Sequence, residues 1–373
     1  MRRASPPHGS PGAPADPFAG TAYRAVRPLG GGGMGEVFLV EHAALGKAFA
    51  AKVLRADRRR SAQLLDRLRL EAHALGRLRH PHIVSVTDFG TTADGRPFLV
   101  MEYLRGRTLG EEIRARGRLP LREAVDHARA VVDALAAAHA IGVVHRDIKL
   151  DNAFLAESSG AERVLKILDF GVARVLPGAP ESAPEPLAVP TDAGVVIGTP
   201  RFASPEGAAG ERVDERADVY AAGLVLYTML AGRGPFDHAS GARQLLSAHR
   251  HETPRPPSVY ADTPVPAELD ALVLAALAKD PRARVQSALA FAHELGRIAE
   301  LLAEPVGWLA TTTFDANALA SPTPVEAPSR ATVARTSRSR SLPRFVLIFV
   351  FLLVASAFSL AAGVALRLLG HGE

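Results

Sequence analysis

Two short polar runs constrain this chain more than anything else in it. The first is His145-Arg146-Asp147-Ile148-Lys149-Leu150-Asp151-Asn152, and the second, Asp169-Phe170-Gly171, begins seventeen residues after Asn152. Together they place a carboxylate, a lysine, an amide and a second carboxylate on two nearby loops. Such a set can position a hydroxyl, neutralise phosphate and hold a divalent cation.

The elements around these runs sort into two groups. From Tyr23 to about Val100 the pattern is strand-rich, with β-type runs at Glu36–Val40, Phe49–Leu54, Ile83–Asp88 and Pro97–Tyr103. Between them Leu64, Leu68, Leu75 and Leu78 recur at helical spacing. From about Thr108 to Leu302 helices dominate. Leu121–Ala140 carries Leu121, Val125, Ala128, Val132 and Leu135 on one face, and Asp218–Ala231 is apolar nearly all round, as a buried central helix would be. The expectation is a small β-rich lobe with one helix, then a larger helical lobe. A chain of 373 residues has room for both, with tails.

The tails differ from the lobes in texture. Residues 1–22 are dense in Pro, Gly and Ala without an apolar segment of secretory type, which predicts a disordered leader. Residues 303–344 are rich in Ala, Thr, Ser, Pro and Arg and predict a flexible basic linker. Phe345–Leu366 then runs 22 residues without a charge, which as a helix extends about 33 Å and is long enough to cross a bilayer. A buried terminal helix is the alternative, and the linker and flanking arginines argue against it. Five arginines precede the segment (Arg330, Arg335, Arg338, Arg340 and Arg344) and Arg367 follows, so the positive-inside rule leaves the two lobes in the cytoplasm and residues 367–373 outside. Ala355, Ser359 and Gly363 recur every four residues, a spacing that can bring two such helices together as a homodimer.

The net charge of +5 invites a nucleic-acid reading. Most arginines are interleaved with acids and no groove-reading motif accompanies them, so no nucleic-acid partner is expected. The absence of cysteine excludes disulfides, thiolate metal sites and cysteine nucleophiles.

Several residues pose problems that a partner would solve. Leu29-Gly30-Gly31-Gly32-Gly33-Met34-Gly35-Glu36-Val37 lies between β-type runs, and glycine lets backbone N–H groups approach phosphates without a Cβ in the way. On its own it reads equally as a flexible hairpin. Lys52 sits in an apolar strand, where a charge needs a partner. Glu71 falls on the apolar stripe between Leu68 and Leu75 and has the same difficulty, unless it is a solvated edge residue.

In order and wording these motifs resemble the eukaryotic-type serine/threonine protein kinases, in a bacterial membrane-anchored form, over about residues 23–302. The resemblance implies an α+β fold, the bilobal protein-kinase fold, followed by the single C-terminal transmembrane helix. It implies ATP and Mg²⁺ as cofactors and protein Ser/Thr hydroxyls as acceptors. Gly30, Gly32 and Gly35 fit the nucleotide-covering loop, flanked by Leu29 and Val37. Lys52, paired with Glu71, would hold the α- and β-phosphates. Ala50, Met101, Glu102 and Leu104 would meet the adenine, with Met101 as gatekeeper and the backbone of Glu102 and Leu104 on the base edge. Asp147 would accept or orient the substrate proton, Lys149 neutralise the moving phosphoryl group, and Asn152 and Asp169 ligate Mg²⁺.

The resemblance also implies structural roles. His145 braces backbone, His80-Pro81-His82 is a turn, Glu206 pairs with Arg284, and Asp218 caps the backbone of the catalytic loop. Gly198-Thr199-Pro200-Arg201-Phe202-Ala203-Ser204-Pro205-Glu206 matches the end of an activation segment, with Phe202 and Ser204 as mild departures. Arg146 would bind a phosphate on that segment, and Thr191 is the expected autophosphorylation site. The rival expectation is a pseudokinase-like membrane-tethered scaffold, which the filled catalytic positions disfavour.

Overall fold

A computed structural model describes residues 16–32, 35–54, 76, 78–158, 163–169 and 200–303. The expected helix bearing Glu71, together with Phe170, Gly171, Thr191, Thr199, the linker and the apolar segment 345–366, lies outside them. Among the described residues no helix is long and apolar enough to cross a membrane.

The N-terminal lobe is an antiparallel five-stranded sheet of β1 (Tyr23–Gly32), β2 (Gly35–His42), β3 (Ala48–Leu54), β4 (Val86–Thr91) and β5 (Pro97–Glu102), in the order β1-β2-β3-β5-β4. Side chains alternate between its two faces, as the strand period of two requires. Phe49, Ala51, Val53, Phe98 and Val100 point to one face and pack with Val40 and Tyr23. Ala50, Leu99 and Met101 point to the other, with Val84 and the partly buried Val37, Leu104 and Leu168. Lys52 pairs with Leu99 across the β3–β5 ladder and shares this second face.

The first face is closed by Phe18, which is fully buried and meets Phe38 and Phe98 edge-on at ring distances of 5.8 and 5.1 Å. Asp16 holds the turn in place by accepting from the N–H groups of Phe18 and Ala25. The expected disordered leader, drawn to residue 22, therefore ends earlier: a single aromatic residue has enough apolar area to hold its own turn against the sheet.

The C-terminal lobe contains β6 (Gly106–Thr108), α1 (Leu109–Arg116), α2 (Leu121–His139), β7 (Ala153–Ala156), β8 (Val164–Ile167), α3 (Pro205–Ala208), α4 (Arg216–Ala231), α5 (Ala242–His251), α6 (Ala267–Ala276) and α7 (Ala288–Ala303). Thr108 starts α1 with a reciprocal capping box to Glu111. Every residue of α4 from Ala217 to Ala231 is buried, as its all-round apolar pattern predicts. The core forms around it, with α2, α6 and α7 contributing Leu135, Leu272 and Leu295. Gly223 permits the close approach of α6, since a Cβ there would lie 2.9 Å from that of Ala276.

A small antiparallel sheet, β6-β7-β8, belongs to this lobe. Its strands are three or four residues long, too short to carry a periodic signal. The expected strand Ile83–Asp88 is also shifted, to Val86–Thr91. Residues 82–84 run instead along β8, with Val84 N–H donating to Ile167 O at 3.0 Å and Ile167 N–H to His82 O at 2.8 Å. They tie the first lobe to the second.

Candidate active site

The catalytic loop is assembled around one buried carboxylate. Asp218, in the first turn of α4, is 1% exposed. Its Oδ2 accepts from the N–H of His145 at 2.7 Å and from His139 Nε2 at 2.9 Å, and its Oδ1 accepts from the N–H of Arg146 at 2.7 Å. Two consecutive N–H groups thus converge on one side chain, and Arg146 adopts a positive φ of 65° to permit it. A non-glycine residue in that region costs roughly 1–3 kcal/mol, and such strain persists only where neighbours hold it. His145 holds the next step. Its Nδ1 accepts from Asp147 N–H at 3.2 Å, which leaves the proton on Nε2, and Nε2 donates to Leu168 O at 3.0 Å. His145 therefore braces two loops.

Asp147 is held at its oxygen Oδ2 by Lys149 Nζ at 2.6 Å and by Asn152 Nδ2 at 3.0 Å. The Asn152 amide also donates to Asp147 O at 2.7 Å, so its N–H groups face Asp147 and its Oδ1 is turned away. The backbone of Asn152 accepts from Leu168 N–H at 2.8 Å, which sets Asn152 beside the end of β8 and brings Asp169 to it. Asp169 has a φ of 58°, and its Oδ2 meets Lys52 Nζ at 2.8 Å. Lys52 is 5% exposed, so a carboxylate partner is what makes its burial affordable. The expected partner Glu71 lies outside the described residues; the partner described is Asp169.

These contacts bring Asp147, Lys149, Asn152, Asp169 and Lys52 together from β3, the 3-10 turn Leu150–Asn152 and the end of β8. Above them β1 and β2 pair Gly30 with Val37 and Gly32 with Gly35, with Leu29 partly exposed on the same strand. A Cβ on Gly35 would lie 2.2 Å from Val53 O, so the hairpin approaches β3 as only glycine allows. Val37, Ala50, Met101 and Leu104 gather into one apolar group with Leu99 and Leu168, a surface suited to a flat heterocycle. Glu102 ends β5 beside it. Oxygen donors at Asn152 and Asp169 suit a hard divalent cation that completes its shell with phosphate and water.

The expected structural pairs are also present. Arg284 donates to both carboxylate oxygens of Glu206 at 3.0 Å, and Asp218 caps the catalytic loop. Sequence reasoning missed His139 and Lys166. The signal for Lys166 was available, since it is a lone cation in the apolar run 164–168.

This fold and this cluster define a two-lobed protein of the protein-kinase type, with two lysines, two carboxylates and an amide gathered at one site. Residues 23–295 match the protein kinase domain family, and the chain belongs to that family. It is 41% identical over 283 residues to serine/threonine-protein kinase Pkn1 of Myxococcus xanthus, covering 75% of this chain and 39% of that protein. It is 38% identical over 281 residues to serine/threonine-protein kinase PknB of Mycobacterium tuberculosis, covering 74% of this chain and 42% of that one. The chain thus spans about two fifths of the length of these relatives. The crystal structure of the Mycobacterium tuberculosis PknI kinase domain superposes with a TM-score of 0.57 at 30% identity, covering 76% of this chain and 99% of that domain.

Proposed function

We propose that this chain is a serine/threonine protein kinase that transfers the γ-phosphate of ATP to protein hydroxyls. The observation that carries the reading is the Asp147 carboxylate clamped between Lys149 and Asn152, one loop away from the Asp169–Lys52 pair. Asp147 receives the acceptor's O–H and orients its oxygen toward the γ-phosphorus. As the new O–P bond forms, the bond to the β-phosphate oxygen breaks and ADP departs. The hydroxyl proton passes to Asp147 or to an oxygen of the transferred phosphoryl group. Lys149 faces the charge on the moving group and Lys52 the α- and β-phosphates. Asn152 and Asp169 would hold Mg²⁺, which when bound would neutralise the phosphate oxygens.

The finer expectations belong to the same reading. Phosphorylation of Thr191 would give Arg146 an anion partner and order the activation segment. The apolar run 345–366 would anchor the kinase at the cytoplasmic face of a membrane and bring copies together, with cytoplasmic proteins as substrates.

Incubating the full chain with γ-labelled ATP and Mg²⁺, beside Asp147→Asn, tests the central claim. The expected result is label on serine and threonine in the wild type and its loss in the variant. Label in both, or in neither, would overturn it. Phosphopeptide mapping that finds Thr191 unmodified in active protein would remove the regulatory part alone.

A further inference from the structure

The side chain of Glu102 makes connections that the end of a strand does not require. Its Oε1 accepts from Ser85 N–H at 2.8 Å and from Lys166 Nζ at 2.9 Å, while its own N–H donates to Ser85 O at 3.0 Å. Ser85 follows the segment that runs along β8. Lys166 lies on β8 itself and reaches Ile83 O at 3.5 Å. One carboxylate oxygen therefore joins β5, the approach to β4 and β8. The bland reading is a solvated ion pair of little consequence. Its geometry argues otherwise, because the Lys166 and Glu102 side chains are only 16% and 31% exposed and a backbone N–H shares the same oxygen. Burial opposes the charge on Glu102, yet the Lys166 ammonium and the Ser85 N–H together hold its carboxyl below the ordinary range.

The location matters more than the strength. Glu102 ends β5 where residues 102–104 leave the sheet, beside the apolar group of Ala50, Met101 and Leu104. Lys166 precedes Asp169 by three residues on the strand whose end carries the phosphate-side carboxylate. A single short strand thus connects the two ends of the cleft.

We propose that Lys166 and Glu102 are a positioning pair for ATP. By fixing the Glu102 side chain to β8, Lys166 sets the peptide groups of residues 102–104 against the base while Asp169 is set against the phosphates. The inference rests on the kinase reading above. A base edge read by backbone groups demands placement within a few tenths of an ångström, since hydrogen bonds weaken steeply with distance and angle. Without the clamp, the segment 102–104 samples other orientations and the nucleotide meets it in the right one less often.

The test compares the full chain with Lys166→Met, Glu102→Gln, the double variant and Lys166→Arg. Dissociation of a fluorescent ATP analogue is measured directly, and transfer to dephosphorylated casein is measured in parallel. The expected result is a roughly tenfold rise in Kd and in KM for ATP, about 1.4 kcal/mol. In Lys166→Met the kcat and the KM for casein should stay within about twofold of wild type. The double variant should be no worse than either single one, and Lys166→Arg should recover most of the affinity. Nucleotide affinity within about twofold of wild type in both single variants would overturn the proposal, as would independent, additive losses in the double variant. Nucleotide binding is read without catalysis, so a wild type that binds ATP and transfers nothing would refute the kinase reading and leave the clamp still measurable. Glu102→Gln preserves volume and decides the matter if Lys166→Met does not fold.

Discussion

Arg284 and Glu206 form a fully buried fork-to-fork ion pair, with both guanidinium–carboxylate distances at 3.0 Å and Arg284 at 0% exposure. The guanidinium is also used elsewhere. It donates to Arg216 O at 2.6 Å and to Ala278 O at 3.2 Å, and lies over the Tyr220 ring at 5.1 Å. The pair joins α3, which follows the end of the activation segment, to the loop before α7 and to the start of α4.

Removing one member leaves the other charge buried and uncompensated. Arg284→Met is expected to cost about 3–5 kcal/mol of folding stability. Arg284→Lys should recover little of it, because an ammonium cannot supply the planar fork. Urea denaturation of the three proteins measures this. A lysine variant as stable as wild type would show that the charge alone matters.

Asp218 is predicted to act on catalysis through the backbone. Asp218→Asn keeps the shape but offers one acceptor oxygen to N–H groups that now use two, and turns an amide toward the other. The expected costs are about 1–3 kcal/mol of stability and a roughly hundredfold fall in kcat, as a misplaced Asp147 would give. Steady-state kinetics with melting controls reads both. An unchanged kcat would mean that the loop holds its form without Asp218.

Gly35 supplies the third prediction. In Gly35→Ala the new methyl would lie 2.2 Å from Val53 O, so β2 must move away from β3. Overpacking of this kind costs about 1–3 kcal/mol. Val37 and Lys52 are partners in that ladder, so the shift reaches the nucleotide contacts and KM for ATP should rise. A variant with wild-type melting and KM would show that the hairpin has room to spare.

The residues that were legible in the sequence share a physical trait. Asp147, Asn152, Asp169 and Lys52 are polar groups in apolar or loop settings that need partners, and the structure joins them. The α4 helix was legible because its burial leaves no polar face. Phe18 was not, since one aromatic in a Pro- and Gly-rich stretch gives no periodicity, and its burial depends on Phe38 and Phe98 from distant strands. The strands β6 to β8 were too short to register. The shift of β4 arose because residues 82–84 pair with β8, a tertiary contact that local pattern does not encode.

His249 makes stability depend on pH. It is 1% exposed, its Nδ1 is hydrogen-bonded to the Tyr220 hydroxyl at 2.9 Å, and Lys279 sits close by, donating to His249 O at 2.8 Å. Burial, then the Lys279 charge, pushes its pKa down to about 3. The unfolded chain binds a proton near pH 6.5, so below that value unfolding takes up a proton that the native state refuses. Stability is therefore full above about pH 6.5 and falls as pH drops, with a contribution from His249 of about 2 kcal/mol between pH 7 and pH 5. His80 and His127 are also held below the ordinary range, chiefly by burial, and act in the same direction. The paired carboxylates Glu102, Glu112 and Asp214 begin to lose their contribution only at lower pH, near the ordinary carboxylate range. Urea denaturation at pH 7 and pH 5 is expected to show a loss in wild type that shrinks by about 2 kcal/mol in His249→Gln. The variant will be less stable at pH 7 because the pocket was shaped for imidazole. An equal loss in both proteins would assign the acid sensitivity to other groups.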